Sequence, residues 1–129
     1  MKHIKVVAAI LFNKGEILCT QRPDNGEAAL KWEFPGGKIE PSETPEQALV
    51  REIKEELGCD ITVNDFLMTV KHQYKSFHLT MHCYKCTLNS DNITLHEHVD
   101  SCWLPINEMN KLDWAPADIP VVHKLQENL

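Results

Sequence analysis

Residues 3–12 (HIKVVAAILF) are apolar at every position after Lys5 and read as a strand. Residues 16–22 read as a second strand, joined to the first by an Asn13-Lys14-Gly15 turn. The polar stretch PDNGEAALK, 23–31, is predicted to be a loop able to move over a ligand. Trp32-Glu33-Phe34 is a short extended piece that enters a Phe34-Pro35-Gly36-Gly37 turn. Two long extended runs, 60–74 and 77–88, read as a hairpin, and 92–96 and 100–104 as shorter strands. Pro105 opens a short helix to about Lys111, and 118–128 reads as a terminal helix. Strands interleaved with a few helices predict an α/β (α+β) sandwich, a mixed β-sheet packed between helices in one domain spanning 1–129.

The helix predicted with most detail runs over about 45–57. Thr44 suits the N-cap and Pro45 the first helical position. Gln47 completes a capping box with Thr44, and Gly58 supplies the stop. Leu49, Ile53 and Leu57 form a stripe spaced by four that can pack on a sheet. Glu52, Glu55 and Glu56 fall on a separate face roughly 100° wide, beside small Ala48. A solvated acidic face is the bland reading of such a cluster. Against it, the acids sit in the second half of the helix, where the macrodipole disfavours negative charge. The Gly-Gly turn upstream can also offer backbone carbonyls. Carboxylates and a carbonyl together make a hard oxygen site suited to Mg²⁺ or Mn²⁺.

A length of 129 residues suits one core, and 43% apolar and 25% charged residues are ordinary for a globular domain. A run of about 18 apolar residues is absent, and the N-terminus lacks a convincing signal peptide, so a cytoplasmic protein without membrane association is expected. The net charge of −6 argues against nucleic-acid polymers as partners but not against a triphosphate, whose bound divalent ions invert the local field. Five cysteines fit a reducing compartment. Cys83 and Cys86 spell CxxC inside an extended run, where residues three apart point to opposite faces. His78 and His82 either line a pocket or are ordinary strand histidines.

Gly37, Glu43, Arg51, Glu52, Glu55, Glu56 and Gly58 are spaced as Gly, five residues, Glu, seven residues, Arg-Glu, apolar, any, Glu-Glu, any, Gly. This segment, 37–59, resembles the signature of the Nudix hydrolases, departing only at Cys59, where the family prefers an aliphatic residue. The resemblance implies the Nudix α/β/α sandwich. It also implies divalent-metal-dependent hydrolysis of a nucleoside diphosphate linked to another group, with a small-molecule nucleotide as substrate. It places Mg²⁺ on Glu52, Glu55, Glu56 and the Gly36 carbonyl, with Glu52 activating the water and Gly37 serving backbone geometry. Arg51 is expected to hold the carboxylates through a bidentate contact. Glu43 either assists it or acts as a helix-start anion.

The chain is further similar to the MutT group through QRP (21–23), WEFPGGKIEPSE (32–43) and WAPADIP (114–120). By that similarity Glu97, six residues before Trp103, joins the metal cluster; otherwise it is an exposed loop acid. Arg22 and Lys38 match substrate-facing positions. The segment APADIP resembles the NudG-type CTP pyrophosphohydrolases, whereas MutT carries asparagine where this chain has Asp118. Asp118 is expected to read a base, to cap the last helix, or both. Trp32, Phe34, Phe77 and Trp114 are candidates either for stacking on a base or for the core. The leading expectation is a nucleoside triphosphate pyrophosphohydrolase acting on cytidine or modified pyrimidine nucleotides, as a monomer or weak dimer. Its alternatives are an 8-oxo-dGTP diphosphatase, a nucleotide-sugar or dinucleotide hydrolase, and a non-catalytic nucleotide-binding module.

Overall fold

The computed structural model describes residues 1–89 and 92–127. In chain order its elements are β1 (Lys2–Asn13), β2 (Glu16–Gln21), β3 (Trp32–Glu33), β4 (Gly36–Lys38), α1 (Pro45–Leu57), β5 (Ile61–Gln73), β6 (Phe77–Leu88), β7 (Asp100–Leu104) and α2 (Ile119–Gln126). Two 3₁₀ segments, Ile106–Lys111 and Pro116–Asp118, precede α2. The strands form a mixed sheet ordered β3-β2-β1-β6-β5, with β4 also paired to β1 and β7 to β2. β1 runs parallel to β6 from Lys2–Phe77 to Phe12–Thr87, and the other pairings are antiparallel.

Alternation along β1 sorts the core onto two faces. Val7, Ala9 and Leu11 pack with Leu49, Ile53 and Leu57 of α1. Ala8 and Ile10 pack on the other side with Met109, Trp114, Val121 and Val122. Leu49, Ile53 and Leu57 are fully buried, each stabilising by about 1.5–3 kcal/mol. The ends of α1 follow from its sequence. Thr44 accepts from the Gln47 amide, Gln47 accepts in return from Thr44, and Gly58 stops the helix at φ 67°. Cys83 and Cys86 lie in cores on opposite faces of the sheet, with burial pushing both thiols up to about 12.

Two local expectations are corrected, and the last two helices form with refined type and bounds. Gly36-Gly37 is a strand, not a turn, because β1 offers an open edge at Val6–Ala8. Residues 92–96 are not a strand. The Thr94 amide donates to Leu57 O at 2.9 Å and the His96 amide to Glu56 O at 3.1 Å, so the segment satisfies carbonyls that α1 leaves open. The helix after Pro105 is 3₁₀, and the terminal helix begins at Ile119, with residue 128 outside the described residues. The 23–31 loop is tied down at its middle, where the Glu27 carboxylate accepts from the Lys75 amide at 3.0 Å. Among the described residues no helix is long and apolar enough to cross a membrane.

A Cβ at Gly36 would stand 1.9 Å from the Val7 carbonyl oxygen and 2.8 Å from its carbon, both backbone atoms that cannot swing away. Gly36→Ala is therefore expected to lose about 3 kcal/mol of unfolding free energy in urea. Gly15→Ala, with nothing within 4 Å of its Cβ, should lose only about 1 kcal/mol for its left-handed turn. Equal losses would show that β4 does not depend on that close approach.

Candidate active site

Arg51 organises the acidic edge of α1. Its Nε and Nη2 donate to the two oxygens of Glu43 at 2.6 and 2.8 Å, a bidentate pair. Nη1 donates to Glu52 at 3.0 Å and Glu55 at 3.2 Å, and Nη2 also reaches Lys38 O at 3.0 Å. The Arg51 hydrogen bonds hold the Glu43 carboxyl down near 2. Sequence neighbours on the helix thus share one cation with a loop acid eight residues upstream. Gly37 faces the same edge: a Cβ there would lie 2.2 Å from Glu52 Oε2, so a larger residue would displace this carboxylate from its present place against the sheet.

Glu56 lies deeper, 5% exposed, with Oε2 accepting from the Gly36 amide at 3.2 Å. Burial first, then the charges of Glu97 and Glu52, raises its carboxyl to about 9. Burial also raises Glu52, opposed by its bond to Arg51. The Glu56 side chain accepts from the Gly36 amide and faces the charge of Glu97, and no cation pairs with it among the described residues. This donor set is all oxygen and fits Mg²⁺ or Mn²⁺, either of which would relieve a repulsion that burial amplifies. Among the described residues no three acid, imidazole or thiol groups stand as a ready-made metal cage. Mg²⁺ needs none, since it commonly takes one or two carboxylates and completes its shell with water and substrate phosphates.

Beside this edge opens a pocket of about 530 Å³, sized for a small molecule. Glu56, Glu97, Gly36, Gly37 and Lys38 supply a polar part of its lining, and Tyr74, Phe77, Leu79 and Met81 an apolar part. Asp118 also lines it, 4% exposed, with Oδ1 accepting from the Phe34 amide at 3.1 Å. Burial, and next the Glu33 charge, hold its carboxyl well above the usual carboxylate range. Asp118 occupies the N-cap position of α2 but makes no capping hydrogen bond. The Phe34 amide has drawn the side chain into the interior instead.

The fold brings Arg22, Phe34, Gly36, Gly37, Lys38, Glu56, Phe77, Glu97 and Asp118 to this one pocket. Glu43, Arg51, Glu52 and Glu55 stand beside it on the α1 edge, Glu55 at the outside with its side chain 57% exposed. Phe34 stacks on Trp114 at 4.7 Å within the core, and Trp32 and Trp114 do not line the pocket. His78 and His82 do not line it either; His82 bonds Thr69 at 2.8 Å and His78 faces His3. Sequence reasoning missed Glu33, Tyr74 and His98. Glu33 pairs with Arg22 at 3.2 Å and with His98 at 2.9 Å. The Tyr74 hydroxyl accepts from the Ala117 amide at 3.1 Å. Only Glu33 carried a signal, an acid in a short strand between two aromatic residues.

Glu56 makes stability depend on pH. Its carboxyl goes from an ordinary 4.5 to about 9 in the folded chain. Between those values the folded state binds the extra proton, so stability falls as pH rises. The metal-free protein should melt at progressively lower temperature across that window, and Glu56→Gln should flatten the slope. Added Mg²⁺ should raise Tm most at the alkaline end, because binding favours the ionised carboxylate. A flat wild-type profile in calorimetry would remove Glu56 as a buried, uncompensated acid.

The comparisons with known proteins bear on the same residues. A NUDIX domain model matches residues 1–125. The chain is 39% identical over 122 residues to the CTP pyrophosphohydrolase of Escherichia coli K12, covering 95% of this chain and 90% of that protein. It is 36% identical over 129 residues to the 8-oxo-dGTP diphosphatase of the same strain, covering 98% of each. Its fold matches the solution structure of the Nudix hydrolase MutT from methicillin-resistant Staphylococcus aureus 252 with a TM-score of 0.81, at 49% identity over the full length of both chains. With the acidic edge of α1 set against the Gly36-Gly37 strand, this extent of likeness leaves one conclusion: the chain is an enzyme of the Nudix hydrolase family.

Proposed function

We propose that this enzyme is a Mg²⁺-dependent nucleoside triphosphate pyrophosphohydrolase, converting an NTP or dNTP and water to the monophosphate and diphosphate. Its substrate is CTP, dCTP or a modified pyrimidine nucleotide, and its role is sanitation of the cytoplasmic nucleotide pool. Asp118 carries the choice of base. A neutral carboxyl fixed at the Phe34 amide presents an O–H donor and an acceptor side by side. Cytosine presents the complement, an N3 acceptor beside an N4 amine. The 39% identity to a CTP pyrophosphohydrolase supports the same reading.

The residues divide the work. Glu52, Glu56, Glu97 and the Gly36 carbonyl would hold the metal, with Glu55 at the outer edge. Bound there, Mg²⁺ (or Mn²⁺) supplies charge neutralisation on the phosphate oxygens. Glu52 positions the water and takes its proton, with its burial raising its basicity. Arg51 holds Glu52 in orientation while Glu43 fixes Arg51. Lys38 and Arg22 meet phosphate and ribose, and Phe77 packs on the base beside Tyr74. A second reading, 8-oxo-dGTP, rests on the same carboxyl, since oxidised guanine also sets an acceptor (O6) next to a donor (N7–H). The 36% identity to an 8-oxo-dGTP diphosphatase favours it as the alternative.

Diphosphate release with Mg²⁺ from CTP, dCTP, 5-methyl-dCTP, 8-oxo-dGTP and dGTP should show kcat/KM for the cytosine members at least about tenfold above dGTP. Asp118→Ala should erase that gap through KM. Preference for 8-oxo-dGTP would install the second reading. Glu52→Gln should lower kcat by about a hundredfold or more; unchanged turnover would remove Glu52 as the activating carboxylate.

A further inference from the structure

His98 lies in the pocket wall, paired to a carboxyl group, and the reaction above does not use it. Its side chain is 3% exposed, and its Nε2 stands 2.9 Å from Glu33 Oε2. Its other ring nitrogen, Nδ1, is buried without a hydrogen-bond partner. A histidine that only fills space normally satisfies both nitrogens, and a bare one needs a reason. Here every polar contact of the ring is spent on Glu33. Nε2 is therefore the ring atom through which His98 holds Glu33.

Glu33 is held from two sides. Oε2 takes His98, and Oε1 takes Arg22 Nη1 at 3.2 Å. Arg22 Nε is buried without a partner, so Glu33 is the contact that sets the direction of its guanidinium. Arg22, Glu33 and His98 all line the pocket. The backbone around His98 is pinned on both sides, by His96 N to Glu56 O at 3.1 Å and Val99 N to Gln21 O at 3.0 Å. Between these pins Glu97 turns to Glu56 and His98 to Glu33. One short segment therefore serves both the acid cluster and the opposite wall.

We infer that His98 is a positioning residue for substrate binding: through Nε2 it fixes Glu33, and through Glu33 the Arg22 guanidinium, against the bound nucleotide. It acts through Glu33 and Arg22. This rests on the reading that the pocket takes the nucleotide.

The test compares His98→Ala, His98→Gln and His98→Asn with wild type, using CTP and 8-oxo-dGTP in the Mg²⁺-loaded enzyme. Binding of CMP and 8-oxo-dGMP to metal-free protein is read in parallel by tryptophan fluorescence. Glutamine can place an amide where Nε2 stands; asparagine cannot reach. KM and the monophosphate Kd should rise about tenfold in the Ala and Asn variants, with kcat within about threefold. The Gln variant should recover most of the loss. Mn²⁺ affinity, followed by electron paramagnetic resonance, should stay within about twofold in all three, because the backbone pins and not the ring hold Glu97. Unchanged KM in His98→Ala overturns the inference, as does equal impairment of the Gln and Asn variants, which would mean packing alone. A fall in kcat or in Mn²⁺ affinity instead of a rise in KM overturns it too. Wild-type protein that neither turns over nor binds these nucleotides would instead strike the reading of the pocket, and this inference with it.

Discussion

Two missing side chains set the geometry on which the rest depends. Gly36 lets β4 lie against the Val7 carbonyl, and Gly37 lets the Glu52 carboxylate press onto the strand. A Cβ at Gly36 would push β4 away from the β1 backbone, and a Cβ at Gly37 would displace the Glu52 carboxylate from the strand. Glycine costs the strand some stability through its unfolded-state freedom. What it returns is a helix whose acidic edge, and not only its apolar stripe, is in contact with the sheet.

That contact creates an electrostatic problem, which the chain solves only in part. Arg51 satisfies Glu43, Glu52 and Glu55 and is thereby saturated. Glu56 sits further in, beside exposed Glu97 and with no side-chain cation paired to it among the described residues, so burial drives Glu56 toward its neutral form. A stable fold had simpler options, such as glutamine at 56. A carboxylate in that position fits the proposed metal site, where the energy withheld from folding would be available to a divalent ion.

The pocket carries the same logic to its other wall. Asp118 and Glu33 are two acids with different partners. Asp118 is held well above the usual range, while Glu33 keeps company with Arg22 and His98. Both acids face one cavity. The pinned segment before β7 links this wall to the acidic edge, because its adjacent residues Glu97 and His98 each answer to one of them.

Much of this was written locally. The span of α1, its capping box, its stripe on the sheet and the spacing of Glu52, Glu55 and Glu56 all follow from residues within one or two helical turns, so the residue order determined them. The hairpin of β5 and β6 and the opposite-facing cysteines follow from a period of two in the same way. Non-local competition decided the rest. Residues 92–96 have strand composition, yet open carbonyls at the end of α1 captured them. Asp118 stands where a helix cap belongs, yet the Phe34 amide 84 residues away took its carboxylate. Glu33, Tyr74 and His98 could not be read from spacing because their partners come from other strands and loops. A backbone donor or a charge is satisfied by whichever partner the packed chain brings nearest, and for these residues only the tertiary structure chose it.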